Sequence, residues 1–127
     1  MWVTAVAARR EVVTGAGLVV TPSLLARLLF GSEMNASGDL VGRISGVVML
    51  CLAFGCWPRA FEGEDRQALA PLLALSVFAT VYLIYVGIGG VNVGVLLWPA
   101  AAAHLLLAIL LARAWMGLWA EKSRERF

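Results

Sequence analysis

Apolar residues run along this chain in four long stretches, separated by three short polar or glycine-rich breaks, and no period-two alternation marks a strand. A membrane-spanning helix needs about 20 mainly apolar residues, within a range of about 17–25. Val12–Phe30, Leu40–Trp57, Ala70–Ile88 and Val95–Trp115 meet that requirement. The breaks are a turn-rich polar stretch at Gly31–Asp39, a charged one at Pro58–Gln67 and a glycine-rich one at Gly87–Gly94, each built from residues that favour turns or solvent. The pattern predicts an all-α membrane protein, a single domain over residues 1–127 folded as a four-transmembrane-helix bundle. A closed barrel, the other way to satisfy backbone groups in lipid, lacks its alternating signature here.

Local signals refine the ends. Ser37 or Asp39 is expected to cap the second helix, and Gly31 to stop the first. Pro71 suits the first turn of the third, where a missing N–H costs little. Pro22 and Pro99 fall inside or near the start of spans, where they are expected to kink the helix if neighbours satisfy the freed carbonyl.

Composition strengthens this picture. The chain is 61% hydrophobic and 14% charged, against about 45–50% and about 25% in soluble domains. Its net charge of +2 is small and its basic residues sit mostly at segment ends, which argues against nucleic acid as a partner. Cys51 and Cys56 share one apolar run with no CxxC; they read as small buried apolar residues, and neither a redox dithiol nor a metal site is expected. The N-terminus, apolar from Met1 to Ala8 and only then basic at Arg9-Arg10, does not follow the order of a secretory signal. Asn35-Ala36-Ser37 matches a glycosylation sequon, relevant only in a eukaryotic secretory host.

Charge also sets an expected orientation. Arg9, Arg10, Arg59, Arg66, Arg113, Lys122, Arg124 and Arg126 all fall on one side of a four-span bundle, and the first and third breaks hold no Lys or Arg. The excess of Lys and Arg in cytoplasmic loops then places both termini and the middle loop in the cytoplasm. Glu62, Glu64 and Asp65 in the middle loop read as a solvated stretch, or as a docking patch for a basic partner.

Ionisable residues within spans are functional candidates by default. Arg27 and Arg43 lie about one turn from the outer ends of the first two spans, at ~1.5 Å per residue. Glu33 and Asp39 flank them, and Tyr85 is expected at comparable depth. Together they read as interfacial anchors clipping the first hairpin, or as a pocket for an anionic or polar ligand. His104 is the deepest ionisable residue, with Thr80 at similar depth and Ser76 nearer the cytoplasm. It reads as a neutral imidazole bonded across helices to such a hydroxyl, or as a proton relay, a quinone contact or one ligand of a metal shared with a partner. For packing, Gly42 and Gly46 form a GxxxG whose face continues at Ala53, and small residues let helix backbones approach in lipid. Leu105, Leu106, Leu107, Ile109, Leu110 and Leu111 read as lipid- or partner-facing bulk.

The run Pro22, Leu24-Leu25, Arg27-Leu28-Leu29-Phe30-Gly31, the second-helix residues Arg43, Gly46, Leu50, Gly55 and Trp57, and Trp98-Pro99 with His104 make the chain similar to small bacterial four-helix proteins of the DoxX-like kind. The similarity covers most of the chain. It implies a compact bundle in the inner membrane and transfers no catalytic residue. Other members of such families are described as quinone-linked oxidoreductase subunits or as having chaperone-like roles. Small multidrug-resistance exporters share the helix count but depend on a carboxylate in the first span; in Val12–Phe30 there is none, because Glu11 falls at the cytoplasmic edge.

These readings converge on a non-enzymatic role without cofactor: an accessory or scaffold subunit of a larger inner-membrane complex, with membrane lipids and partner subunits as its contacts. The alternatives are a stand-alone binder or transporter of a lipid-like or anionic small molecule, and a quinone-linked redox subunit.

Overall fold

The structure, a computed structural model, describes residues 2–62, 66–89 and 93–124. Every regular element among them is an α-helix: α1 (Trp2–Val20), α2 (Pro22–Phe30), α3 (Ala36–Glu62), α4 (Arg66–Gly89) and α5 (Leu97–Arg124). Helices α3, α4 and α5 each carry a run long and apolar enough to cross a membrane, and α1 with α2 makes a fourth if the bent pair counts as one span. The chain is therefore helical with three to four candidate spans, consistent with a multi-pass membrane protein.

The first apolar run is not one helix. Helix α1 begins at Trp2 rather than Val12, and the chain turns by 112° at Thr21. Pro22 explains the break. It has no N–H for the Leu18 carbonyl, its ring clashes with the preceding turn, and it pushes the residue before it out of the helical region. Thr21 accordingly has φ −138° and ψ 63°, and Pro22 opens α2 at its first position. The Thr21 N–H and hydroxyl both donate to the Gly17 carbonyl, closing the last turn of α1. Helix α2 stops where expected: Gly31 has φ 67° and donates its N–H to the Arg27 carbonyl, a left-handed cap that favours glycine.

Two other expected ends move. The cap of α3 is Asn35, whose Oδ1 accepts the Gly38 N–H at 2.8 Å. Ser37 and Asp39 lie inside the helix, and Asp39 instead accepts a hydrogen bond from the Ser23 hydroxyl. Helix α4 begins at Arg66, so Pro71 lies within it, beyond its first turn. Glu64 and Asp65 of the charged break lie outside the described residues, as do Gly90–Asn92 of the third break.

Helix α1 packs along α3, and α4 along α5; contacts between the two pairs are sparser. Glycines set the first seam. A Cβ on Gly46 would lie 2.6 Å from the Gly15 carbonyl oxygen, and one on Gly42 2.8 Å from Pro22 Cβ. Ala53 is fully buried further along α3. The GxxxG face is thus turned inward against α1 and the start of α2. In lipid such close approach is what van der Waals attraction between helices rests on, since burial from water contributes little there.

The two pairs join at both ends. Val3 and Ala7 of α1, Cys56 of α3, Leu69 and Leu72 of α4, and Leu107 and Leu111 of α5 form one core. Leu107 and Leu111 therefore belong to the interior, whereas Leu105, Leu106 and Ile109 are exposed. At the opposite end, Leu83 packs with Leu97 and Ala101, and Phe30 of α2 leans on them. There the backbone of α2 is tied to the approach to α5: the Gly94 N–H donates to the Leu29 carbonyl and the Leu96 N–H to the Leu28 carbonyl, both at 2.8 Å. A side chain on Gly94 would overlap the Leu28 carbonyl, so only glycine permits this latch. The outward faces of α3 and α4 are apolar and exposed, as at Ile44, Val48, Phe54, Phe78, Val81 and Ile88. A surface of that kind is a liability in water and the natural boundary of a bundle in lipid.

Candidate functional site

Between the two cores lies a cavity of about 290 Å³, close to the lower end of the about 300–1,000 Å³ typical of ligand pockets. Arg10 and Thr14 of α1, Leu25 and Leu29 of α2, Leu83 of α4, and Leu96, Pro99, Ala100, Ala103 and His104 of α5 and its approach line it. The walls are almost wholly apolar. Leu96, Pro99 and Ala103 are exposed, so the cavity opens where the first turns of α5 face the α1–α2 elbow.

Its polar groups come from the middle of helices. Glu11 is fully buried and forms an ion pair with Arg10, the adjacent residue on α1. One guanidinium nitrogen serves that pair; the other, Nη1, is buried without a partner among the described residues, as is Glu11 Oε2. Burying charge is tolerable only when it is paired and bonded, and this pair is half-satisfied, its two unpaired atoms enclosed by protein rather than facing the cavity. His104 Nδ1 lies 2.8 Å from the Ala100 carbonyl oxygen of its own helix. A carbonyl only accepts, so Nδ1 carries the proton, and in the neutral ring Nε2 at the opposite edge is left as an acceptor. Arg10 and Glu11 are both within electrostatic reach of this imidazole.

This arrangement differs from the expected one. Arg10 and Glu11 do not precede the first helix but lie in the middle of α1, so a buried carboxylate does exist in the first helical segment. The expected cross-helix bond from His104 to Thr80 is replaced by bonds within each helix. Thr80, buried on α4, donates its hydroxyl to the Ser76 carbonyl at 2.7 Å, while Ser76 Oγ is buried with no partner among the described residues. Among those residues no cluster of three or more His, Cys, Asp or Glu is placed to hold a metal.

The residues expected to cluster at the outer mouth are dispersed. Arg27 and Glu33 approach to 3.8 Å with side chains 69% and 80% exposed. They share an open cleft of about 350 Å³ with Ser23, Leu24 and Met34. Arg43 is committed elsewhere: its Nη1 donates to the Val19 carbonyl at 2.9 Å. That carbonyl would ordinarily accept from Ser23, and the break at Thr21 frees it, so Arg43 caps the severed end of α1. Tyr85 is exposed on α4, outside the cleft.

No family model, curated protein or solved structure matches this chain.

One signal for Arg10 and Glu11 was present in the sequence. The eight residues before Arg9 are almost entirely apolar, and a charged triplet of mixed sign between two apolar runs fits the middle of a helix as well as its flank.

Proposed function

We propose that the chain binds an amphipathic small molecule in the cavity between its helix pairs, as a multi-pass protein of the bacterial inner membrane with both termini cytoplasmic. The observation that carries this reading is the open apolar cavity whose inner wall holds Arg10, Thr14 and His104. A molecule entering it between α5 and the elbow passes apolar side chains, so it must itself be lipid-like. Its polar part then meets the few groups able to orient it, the usual division of labour in such pockets. The orientation follows from Arg59, Arg66, Lys122 and Arg124 under the bias of basic residues toward the cytoplasm.

The test is native mass spectrometry of the protein released from nanodiscs. Wild type is expected to carry a small-molecule adduct that is absent from Ala103→Phe, a change at an exposed rim position that fills the opening without repacking a core. An adduct unaffected by that change overturns the reading.

A second reading, an accessory subunit of a larger membrane complex, is favoured by the sparse contact between the α1–α3 and α4–α5 pairs, which leaves long lateral faces for other helices. Stoichiometric protein partners in the same spectra support it; a partner-free chain at native expression counts against it.

A further inference from the structure

We propose that α2 is an interfacial helix. It lies in the lipid headgroup layer across one end of the bundle, with its exposed Leu24 and Arg27 against lipid, and the helices that cross the hydrocarbon are α1, α3, α4 and α5. The inference is independent of what the cavity binds.

Helix α1 is long enough to cross without α2. At ~1.5 Å per residue, its 19 residues cover about 28 Å, close to the hydrocarbon thickness of about 30 Å. It packs along α3, a candidate span, through the seam of Gly15 and Gly46. Helix α2 then turns by 112°, so it runs across the bundle and not along it. Its first turn is held at the start of α3, where Ser23 donates to Asp39 and Pro22 lies against Gly42. Its last turn is held just before α5, by Gly94 and Leu96. Those two starts lie at one end of the bundle, opposite the end that carries Lys122 and Arg124. The 9 residues of α2 cover about 13 Å at the same rise, enough to bridge neighbouring helices about 8–10 Å apart.

The outward stripe of α2 fits neither hydrocarbon nor bulk water. The protein uses its inner face: Pro22 and Ala26 are buried, Leu25 and Leu29 line the cavity, and Phe30 leans on the core. Thr21, Leu24 and Arg27 are exposed, with the Glu33 carboxylate near Arg27. Charged side chains this exposed are costly in hydrocarbon. Water alone is a poor match for the apolar surface at the same end: Leu24, Tyr85 in the last turns of α4 and Trp98 at the start of α5 are each more than half exposed. Tyr and Trp gather where headgroups meet acyl chains, and a helix lying in that plane accommodates Leu and Arg together. A guanidinium there meets phosphate oxygens, which its fork of donors fits.

The experiment uses the full chain carrying Cys51→Ala, which removes the exposed cysteine, in vesicles of phosphatidylcholine and phosphatidylglycerol. A nitroxide is placed in turn on Thr21→Cys, Leu24→Cys and Arg27→Cys of α2, and on Ile44→Cys and Val48→Cys of α3 as a ruler. All five positions are exposed, so a label displaces no packing. Depth is read from collisions with oxygen and with a water-soluble nickel complex. The three α2 labels are expected near the phosphates and within about 4 Å of one another, while the ruler deepens by about 6 Å from Ile44 to Val48. A depth that runs by about 1.5 Å per residue along α2, some ~9 Å in all, or labels that lie together within the hydrocarbon, make α2 part of a span or a re-entrant segment and overturn the proposal. Labels that all lie in bulk water beyond the phosphates overturn it as well, and make α2 a cover outside the membrane.

Discussion

Two arginine–carboxylate pairs in this molecule have the same chemistry and opposite settings. Arg27 and Glu33 meet at 3.8 Å at the edge of an open cleft, both largely exposed. Arg10 and Glu11 meet inside the bundle, with Glu11 wholly buried and one atom of each partner unsatisfied. An exposed pair contributes about 0–1 kcal/mol, because water and salt compete with it. A buried pair is different in kind: it does not so much stabilise the fold as make each partner indispensable to the other, since removing one leaves an uncompensated charge. Position, not residue type, separates the anchor from the candidate site.

The comparison breaks most sharply at Glu11. Glu11→Ala should lower the unfolding free energy by about 3–5 kcal/mol, the usual loss when one partner of a buried pair is removed, measured in mixed detergent micelles. Replacing both residues at once, Arg10→Met with Glu11→Leu, should restore most of that loss while abolishing any small-molecule adduct. If the single and double variants are equally unstable, the pair is not acting as a buried ion pair.

Gly94→Ala tests the α2–α5 end without altering charge. The added methyl overlaps the Leu28 carbonyl and must open the two bonds of the latch, at about 1 kcal/mol each. A loss of about 2 kcal/mol is expected, with faster hydrogen exchange at the Gly94 and Leu96 amides; unchanged exchange at those amides contradicts the latch. Arg43→Ala removes the cap on the Val19 carbonyl and should cost about 1 kcal/mol, with Arg43→Lys recovering part of it. The smallest effect belongs to Arg27→Ala. An exposed ion pair at that separation should change stability by less than about 0.5 kcal/mol and leave the cavity adduct unaltered. A loss of adduct in Arg27→Ala would instead place the bound molecule in the Arg27–Glu33 cleft.

Much of the architecture was legible from the order of residues. The apolar runs forming α3, α4 and α5, the stop at Gly31 and a kink at Pro22 follow from local rules. Two features were not. The start of α1 was missed because three consecutive charges are expensive in lipid and read as a boundary. An adjacent Arg and Glu can neutralise one another, which lets the helix continue through them. The size of the bend at Thr21 was missed because proline dictates a break but not an angle; here the angle accompanies the attachment of α2 to Gly94 and Leu96, more than sixty residues away. Asn35 belongs to a sequon in the sequence, and its role as cap turns on the same side chain reaching Gly38. Of the candidate site, His104 was read from its depth, whereas its neighbours Arg10 and Thr14 become neighbours only through the pairing of α1 with the rest of the bundle.

The latch between α2 and the approach to α5 also orders events in time. Helices α1 and α3 are adjacent in the chain but for α2, and their glycine seam can close as soon as Glu62 has been made. The acceptors at Leu28 and Leu29 must then wait for Gly94 and Leu96, a delay of several seconds at synthesis rates of about 5–20 residues per second. Pro99, Ala100 and His104 arrive later still, so the cavity can exist only after the glycine seam, and anything bound in it reports a chain whose last helix has joined the first two.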